Sequence, residues 1–300
     1  MRNIIEDTIT QAVVASMREA ENARLRTVMT CLVQHLHSFA REVKLTEDEW
    51  FHAIRFLTAV GHVTDDKRQE FILLSDTLGL STLVTAQSNQ KPSGCTESTV
   101  FGPLFVDSAR ESRSGDDISS RASGEPCFVS GRVLSVDGSP IASARIDVWQ
   151  SDEDGFKDIE RQPESSLTAE HGARGQLSSA ADGRFYFRST LAGAYPIPHD
   201  GPVGRLLDAL GRHPWRPAHL SFMIAAPGYE TLMTHIFRSG GQYLDSDAVF
   251  GVRSSLIADW VRHEPGAAPD GTNLGDAFYT LQYDFVLNPG RDTYRSARKR

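Results

Sequence analysis

The sequence predicts an α+β chain: a helical N-terminal region followed by an antiparallel β-sandwich. Three observations predict it. Residues 1–90 hold only two glycines, Gly61 and Gly79, and repeat apolar residues at three- and four-residue spacing. The composition shifts at Ser88 to Gly94, after which glycine and proline punctuate short segments rich in β-branched and aromatic residues. Those segments alternate polar and apolar positions, the period of a half-buried strand. The boundary is therefore placed between residues 95 and 96, with a helical and linker region 1–95 and a β-sandwich domain 96–300.

The elements follow in order. From Thr8 to Val43, Ile9, Val13, Met17 and then Leu25, Val28, Met29, Leu32 and Leu36 fall on helical spacings. Thr46-Glu47-Asp48-Glu49 has capping-box spacing and precedes Trp50, Phe51, Ile54 and Leu57. A third helical segment starts near Thr64, carries Phe71, Leu74 and Leu78, and meets a C-cap glycine at Gly79. Phe128–Val136 and Ile141–Trp149 read as two strands around a tight Asp137-Gly138 turn. Arg184–Arg188, His219–Ala225 and Phe278–Leu287 read as further strands, and Ser254–Val261 as a late helix. Residues 107–124 are polar and read as a loop.

Composition excludes more than it selects. Lysine and arginine total 31 and aspartate and glutamate 39, a formal charge of −8, which argues against a nucleic-acid partner. No run of 18 apolar residues exists, so no membrane span is expected. Met1–Asp7 lacks the apolar stretch of a secretory signal, and the expected location is cytoplasmic. Three dispersed cysteines, Cys31, Cys95 and Cys127, suit unpaired thiols in a reducing compartment and make no zinc site.

Longer stretches carry the chemistry. They are Gly193-Ala194-Tyr195-Pro196-Ile197-Pro198-His199-Asp200-Gly201-Pro202 and Arg216-Pro217-Ala218-His219-Leu220-Ser221-Phe222. With them stand Thr99-Val100-Phe101-Gly102-Pro103-Leu104, the run Asp147 to Phe156, and Tyr243-Leu244-Asp245-Ser246-Asp247-Ala248-Val249-Phe250-Gly251-Val252. On these motifs the chain resembles the intradiol ring-cleavage dioxygenases, and among them the hydroxyquinol 1,2-dioxygenases more than the catechol enzymes. The resemblance spans nearly the whole chain. It implies a β-sandwich of the intradiol dioxygenase type behind an N-terminal dimerisation region, hence a homodimer through the N-terminal helices.

The resemblance also implies a non-haem ferric centre held by two tyrosinates and two histidines, at which O₂ cleaves a catechol-type ring between its hydroxyl-bearing carbons. Ferric iron is a hard acid that deprotonates a phenol of ordinary pKa about 10. Carried over residue by residue, the second tyrosine is Tyr195 and the first histidine is His219. The first tyrosine falls on Lys157 and the second histidine on Ser221. A +3 ion and an ammonium about 5 Å apart at an effective dielectric near 20 repel by roughly 10 kcal/mol, as an upper bound. Asp158, His213 and His235 are the candidate replacement donors, with His235 read as a pocket histidine rather than a ligand. By the same resemblance Arg216 orients the substrate. Leu73, Asp76, Val100, Phe101, Gly102, Pro103, Leu104, Ile197 and Pro198 line its pocket.

Three functions fit this pattern. The first is an enzyme that binds an electron-rich aromatic or polyphenolic compound but uses Lys157, Tyr195, His219, Ser221, Arg216 and His235 for metal-free acid–base chemistry, with no cofactor expected. The second is a ring-cleaving dioxygenase with a non-standard Fe(III) site on Tyr195 and His219. The third is a non-catalytic binding or partner subunit; without iron, Tyr195 reads as a hydrogen-bonded core tyrosine.

Overall fold

The computed structural model describes residues 4–65, 68–100, 111–119, 124–151 and 173–290. The glycine-poor start of the chain folds into α1 (Glu6–Ser16), α2 (Ala23–Glu42) and α3 (Glu47–His62), which belong to one compact unit, Met1–His62. The helical run from Thr8 to Val43 divides at residues 17–22, where Asn22 caps α2 by accepting the Leu25 amide at 2.9 Å. At α3 the capping box forms as its spacing predicts. Glu49 Oε2 accepts the Thr46 amide at 2.9 Å, and the Glu49 amide donates to Thr46 Oγ1 at 3.3 Å. Two apolar helix faces stay exposed: Leu25, Val28, Leu32, Leu36 and Phe39 on α2, and Trp50, Phe51, Ile54 and Leu57 on α3. No helix of the described residues is long and apolar enough to cross a membrane.

The second unit runs from Val63 to Arg300 and takes in two more helices, α4 (Glu70–Thr77) and α5 (Leu80–Ser88). Gly79, at φ 74°, ends one and begins the other, a left-handed position at little steric cost to glycine. The strands then follow as β1 (Pro126–Ser135), β2 (Arg145–Gln150), β3 (Arg174–Ser178), β4 (Arg184–Thr190) and β5 (Tyr195–Pro196). After α6 (Pro202–Ala209) come β6 (Trp215–Arg216), β7 (His219–Ala225), β8 (Leu232–Arg238), β9 (Ile257–Ala258) and β10 (Trp260–His263). A short ribbon, β11 (Gly266–Ala267) with β12 (Asn273–Leu274), precedes β13 (Phe278–Gln282) and β14 (Phe285–Leu287).

Two five-stranded sheets make the sandwich. One centres on β1, which pairs with β4, β13 and β14, while β10 extends β13. The other runs β3-β2-β7-β8-β9. Phe185, Phe187 and Phe285 from the first sheet and Ile146, Leu220, Phe222 and Ile236 from the second fill the space between them, all almost fully buried. Each such side chain contributes about 1.5–3 kcal/mol by leaving water.

Four expectations change. The sheets are mixed rather than wholly antiparallel, because β13 and β14 both run parallel to β1. The Asp137-Gly138 turn exists, with Gly138 at φ 83° and its amide on Ser135 O at 2.9 Å. Its flanking strands do not form a hairpin, however: β1 and β2 lie in opposite sheets. Between them Ser143 takes φ 55°, and Ile141 and Ala144 are buried as the chain crosses from one layer to the other. Phe278–Leu287 is two strands, broken where the Tyr283 carbonyl approaches β1 so closely that only Gly131 fits beneath it. Ser254–Val261 is not an α-helix but a 3-10 turn, Ser254–Leu256, leading into β9 and β10; Leu256 is buried at the end of the turn and Trp260 at the start of β10.

Candidate active site

The site is assembled by a two-residue pairing. β5 and β6 run antiparallel with Tyr195 opposite Arg216, and Arg216 Nη1 donates to Tyr195 Oη at 3.2 Å. Three residues past Arg216, β7 begins at His219, whose ring centroid lies 5.5 Å from that of Tyr195. The His219 Nδ1 is bonded to Pro217 O at 2.8 Å, which assigns the proton to Nδ1 and leaves Nε2 as the basic nitrogen.

Arg216 is held from behind. Its Nε and Nη2 donate to the two carboxylate oxygens of Asp247 at 3.1 and 3.3 Å, and both side chains are almost wholly buried. Asp247 also accepts the amides of Val249 (3.3 Å) and Gly251 (2.9 Å). Burial opposes both charges, but their neighbours outweigh it. Tyr195 and Asp247 raise the guanidinium above its usual range, while Arg216 and the Gly251 amide hold the carboxyl below the usual carboxylate range.

On α4, Leu73 and Asp76 are three residues apart on one face and both buried. Burial pushes the Asp76 carboxyl up, and Asp247 adds to this; a hydrogen bond from Ser81 and the charge of Arg216 pull the other way. Glu70, wholly buried on the same helix, pairs with Arg68 at 2.9 Å and accepts the Val203 amide at 3.1 Å, so it caps α6. Arg212 ties the end of α4 to the 243–252 loop, donating to Thr77 O at 2.6 Å and Ala248 O at 3.0 Å. Ile197 is buried beside this frame, with its amide on Pro214 O at 2.9 Å; Pro198 is half-buried, and Val100 is buried.

Of the residues singled out in the sequence, Tyr195, Arg216 and His219 thus come together, and Asp76 shares their electrostatic cluster. Ser221 is buried on the face of β7 that carries His219, directly across from His235 on β8. The His235 ring lies tilted by 31° against that of His219, with centroids 4.5 Å apart, and its Nδ1 is buried with no hydrogen-bond partner among the described residues. Burial, with His219 and Arg216 beside it, holds His235 well below the usual histidine range, so it is a neutral base. Phe101, Gly102, Pro103, Leu104, Lys157 and Asp158 lie outside the described residues. His213 turns to Ser246 and the Tyr243 ring and lines a cavity of about 440 Å³ with Arg212, Asp247 and Phe250.

Sequence reasoning missed Asp247, Glu70 and Arg212 as the residues that hold the frame. The signal for Asp247 was its place in the Tyr243–Val252 motif. As to a metal, no three His, Cys, Asp or Glu side chains of the described residues group as a site. A donor set that counts phenol oxygen does fit a hard cation. Tyr195 offers an oxygen already beside a cation, His219 offers Nε2, and an orphaned buried nitrogen stands next to them.

Comparison with known proteins places this geometry. Residues 100–289 match the family model described as dioxygenase, and residues 22–96 the one described as catechol dioxygenase N terminus. The chain is similar to the 6-chlorohydroxyquinol 1,2-dioxygenase of Cupriavidus pinatubonensis, at 57% identity over 96% of this chain and 99% of the relative. It is 49% identical to the hydroxyquinol 1,2-dioxygenase of Rhodococcus opacus, over 95% and 94% of the two chains. Among solved structures it is similar to hydroxyquinol 1,2-dioxygenase from Pseudomonas putida, with a TM-score of 0.87, 44% identity and coverage of 95% of this chain and 99% of that one.

Proposed function

The chain belongs to the intradiol ring-cleavage dioxygenase family, and from that premise we propose that it is a ring-cleaving dioxygenase for an aromatic diol of the hydroxyquinol class. The observation that carries the reading is the buried Tyr195–Arg216–Asp247 chain of hydrogen bonds with His219 beside it. A scaffold that had abandoned this chemistry would have no need of a fully desolvated guanidinium aimed at a phenol oxygen.

The residues act in distinct ways. Tyr195 and His219 would hold a ferric ion, in place of the metal-free site expected from the sequence. When bound, that ion supplies Lewis acidity toward the diol and an electron acceptor for the ring. Arg216, fixed in direction by Asp247, presents positive charge to the substrate's hydroxyl oxygens and stabilises the anion as they lose protons. Asp76, kept toward its protonated form by burial, can donate a hydrogen bond to a further ring hydroxyl, the group that separates a benzenetriol from a catechol. Leu73, Val100 and Ile197 exclude water from the ring faces.

The exposed apolar faces of α2 and α3 support a homodimer, since a monomer rarely leaves two such stripes to water. The acid–base reading on Lys157 and Ser221 draws no support from the described residues.

The test is direct. The iron-loaded protein is incubated with benzene-1,2,4-triol under ¹⁸O₂. One labelled oxygen in each of the two new carboxyl groups, with O₂ consumed in equal amount, is the expected result. Conversion without O₂ uptake supports acid–base chemistry instead, and binding without conversion supports a binding subunit.

A further inference from the structure

Ser221 sits on the central strand of its sheet, and among the described residues the strand positions that share its face and neighbour it are few. Along β7 they are His219 and Met223; across the ladders they are Trp149 on β2 and His235 on β8. Met223 offers a soft thioether and the Trp149 indole only donates. His235 alone among these neighbours adds a second basic nitrogen to that of His219. It is 1% exposed, and its buried Nδ1 has no hydrogen-bond partner among the described residues, which is unfavourable unless something fills the position.

We propose that His235 is a metal ligand of this protein, its Nδ1 supplying from β8 the imidazole that the residue at position 221 does not. The geometry accommodates it. The observed separation of the His219 and His235 centroids is 4.5 Å. Coordination through Nδ1 puts the His235 proton on Nε2. The donor set is then one phenolate oxygen, Tyr195, and two imidazole nitrogens. This rests on the reading that the site serves iron chemistry, but it concerns which side chain holds the ion and not what the ion does.

The experiment uses the whole 300-residue chain loaded with ferrous iron alone, oxidised in air and desalted. Iron per chain is read by elemental analysis, and tyrosinate coordination by visible absorption. The intact protein is expected to retain one iron with a visible band. His235→Gln is expected to bind iron at least tenfold more weakly and lose the band, while His263→Gln, on β10 and bonded to Thr280, retains both. The double variant His235→Gln with Ser221→His is expected to recover iron and colour, which separates ligation from misfolding. Iron retained at full affinity by His235→Gln overturns the proposal, as does an intact protein that takes up no iron. Failure of the double variant to recover iron, with its fold intact by circular dichroism, also overturns it. Ring cleavage is scored separately: iron held through His235 with no cleavage sinks the proposed function and leaves the ligand assignment, and cleavage with His235→Gln fully loaded does the reverse.

Discussion

Replacing Asp247 by asparagine should be among the most destabilising single-atom-scale changes in the second unit. Asp247 and Arg216 are 2% and 3% exposed and make two charge-assisted hydrogen bonds. Asparagine preserves volume but removes the charge and turns one acceptor into a donor facing the guanidinium. At an effective dielectric of 20, unit charges about 4 Å apart attract by about 4 kcal/mol. Breaking one side of a buried pair typically costs about 3–5 kcal/mol, because the partner charge stays buried and uncompensated. The two estimates agree, so Asp247→Asn should lower unfolding free energy by about 3–5 kcal/mol. Guanidinium unfolding at fixed protomer concentration, followed by tryptophan emission, measures it. Pairing the change with Arg216→Met removes the stranded cation, and the double variant should be less destabilised than the sum of the singles by at least about 2 kcal/mol. A single-variant cost below about 1 kcal/mol, or additivity within about 0.5 kcal/mol, would refute the picture of an integrated buried pair.

Three further outcomes follow from the same structure. Asp247 has a folded pKa held below its ordinary 3.8, so its contribution is fully present above that value and is lost as pH falls through the lowered folded pKa. The stability gap between the intact protein and Asp247→Asn should therefore be constant from pH 7 to 5 and shrink below about pH 4, as urea titrations at each pH would reveal. Gly251→Ala would place a Cβ 3.0 Å from Arg216 Nη2 and 3.2 Å from Asp247 Oδ2. It should cost about 1–3 kcal/mol and weaken catechol affinity, read by calorimetry, and an alanine variant indistinguishable from the parent in both would contradict the close approach. Burial raises the Cys127 thiol to about 12, whereas Cys31 is exposed. At pH 8 a thiol-reactive chromophore should label Cys31 at least about a hundredfold faster, and equal rates would mean that β1 opens readily.

Much of this architecture was readable from residue spacing because the relevant signals are local. The capping box at Thr46, the left-handed glycine at Gly79 and the alternation in Arg184–Arg188 are fixed by neighbours within four residues. The failures share the opposite cause. Leu256, Ile257, Trp260 and Val261 fall at helical intervals, yet they build a turn and two strands, because Leu256 and Trp260 are captured by a core that local spacing does not describe. The strands around Asp137-Gly138 look like a hairpin until burial of Ile141 and Ala144 takes the second strand to the other layer. Asp247 lay in a motif already singled out, but its partner Arg216 is 31 residues away along the chain.

The relation between Ser221 and His235 was closer to legible than it first looks. Positions in an antiparallel pair face each other when they are equidistant from the centre of the turn that joins the strands. Pro227-Gly228 is a turn signal in the sequence, and the structure bears it out: Gly228 has φ 85° and the Tyr229 amide returns to Ala226 O at 3.1 Å. Centring the turn on Gly228 sets Ser221 against His235, His219 against Phe237 and Met223 against Met233, which is the observed register. Spacing along the chain treats His235 as remote from a ligand position, whereas spacing across the sheet makes it, among the described residues, the nearest basic nitrogen on that face apart from His219. A change at a ligand position on a central strand is therefore best judged against the residue reflected through the turn, since that residue is both the closest on the same face and the one already desolvated alongside it.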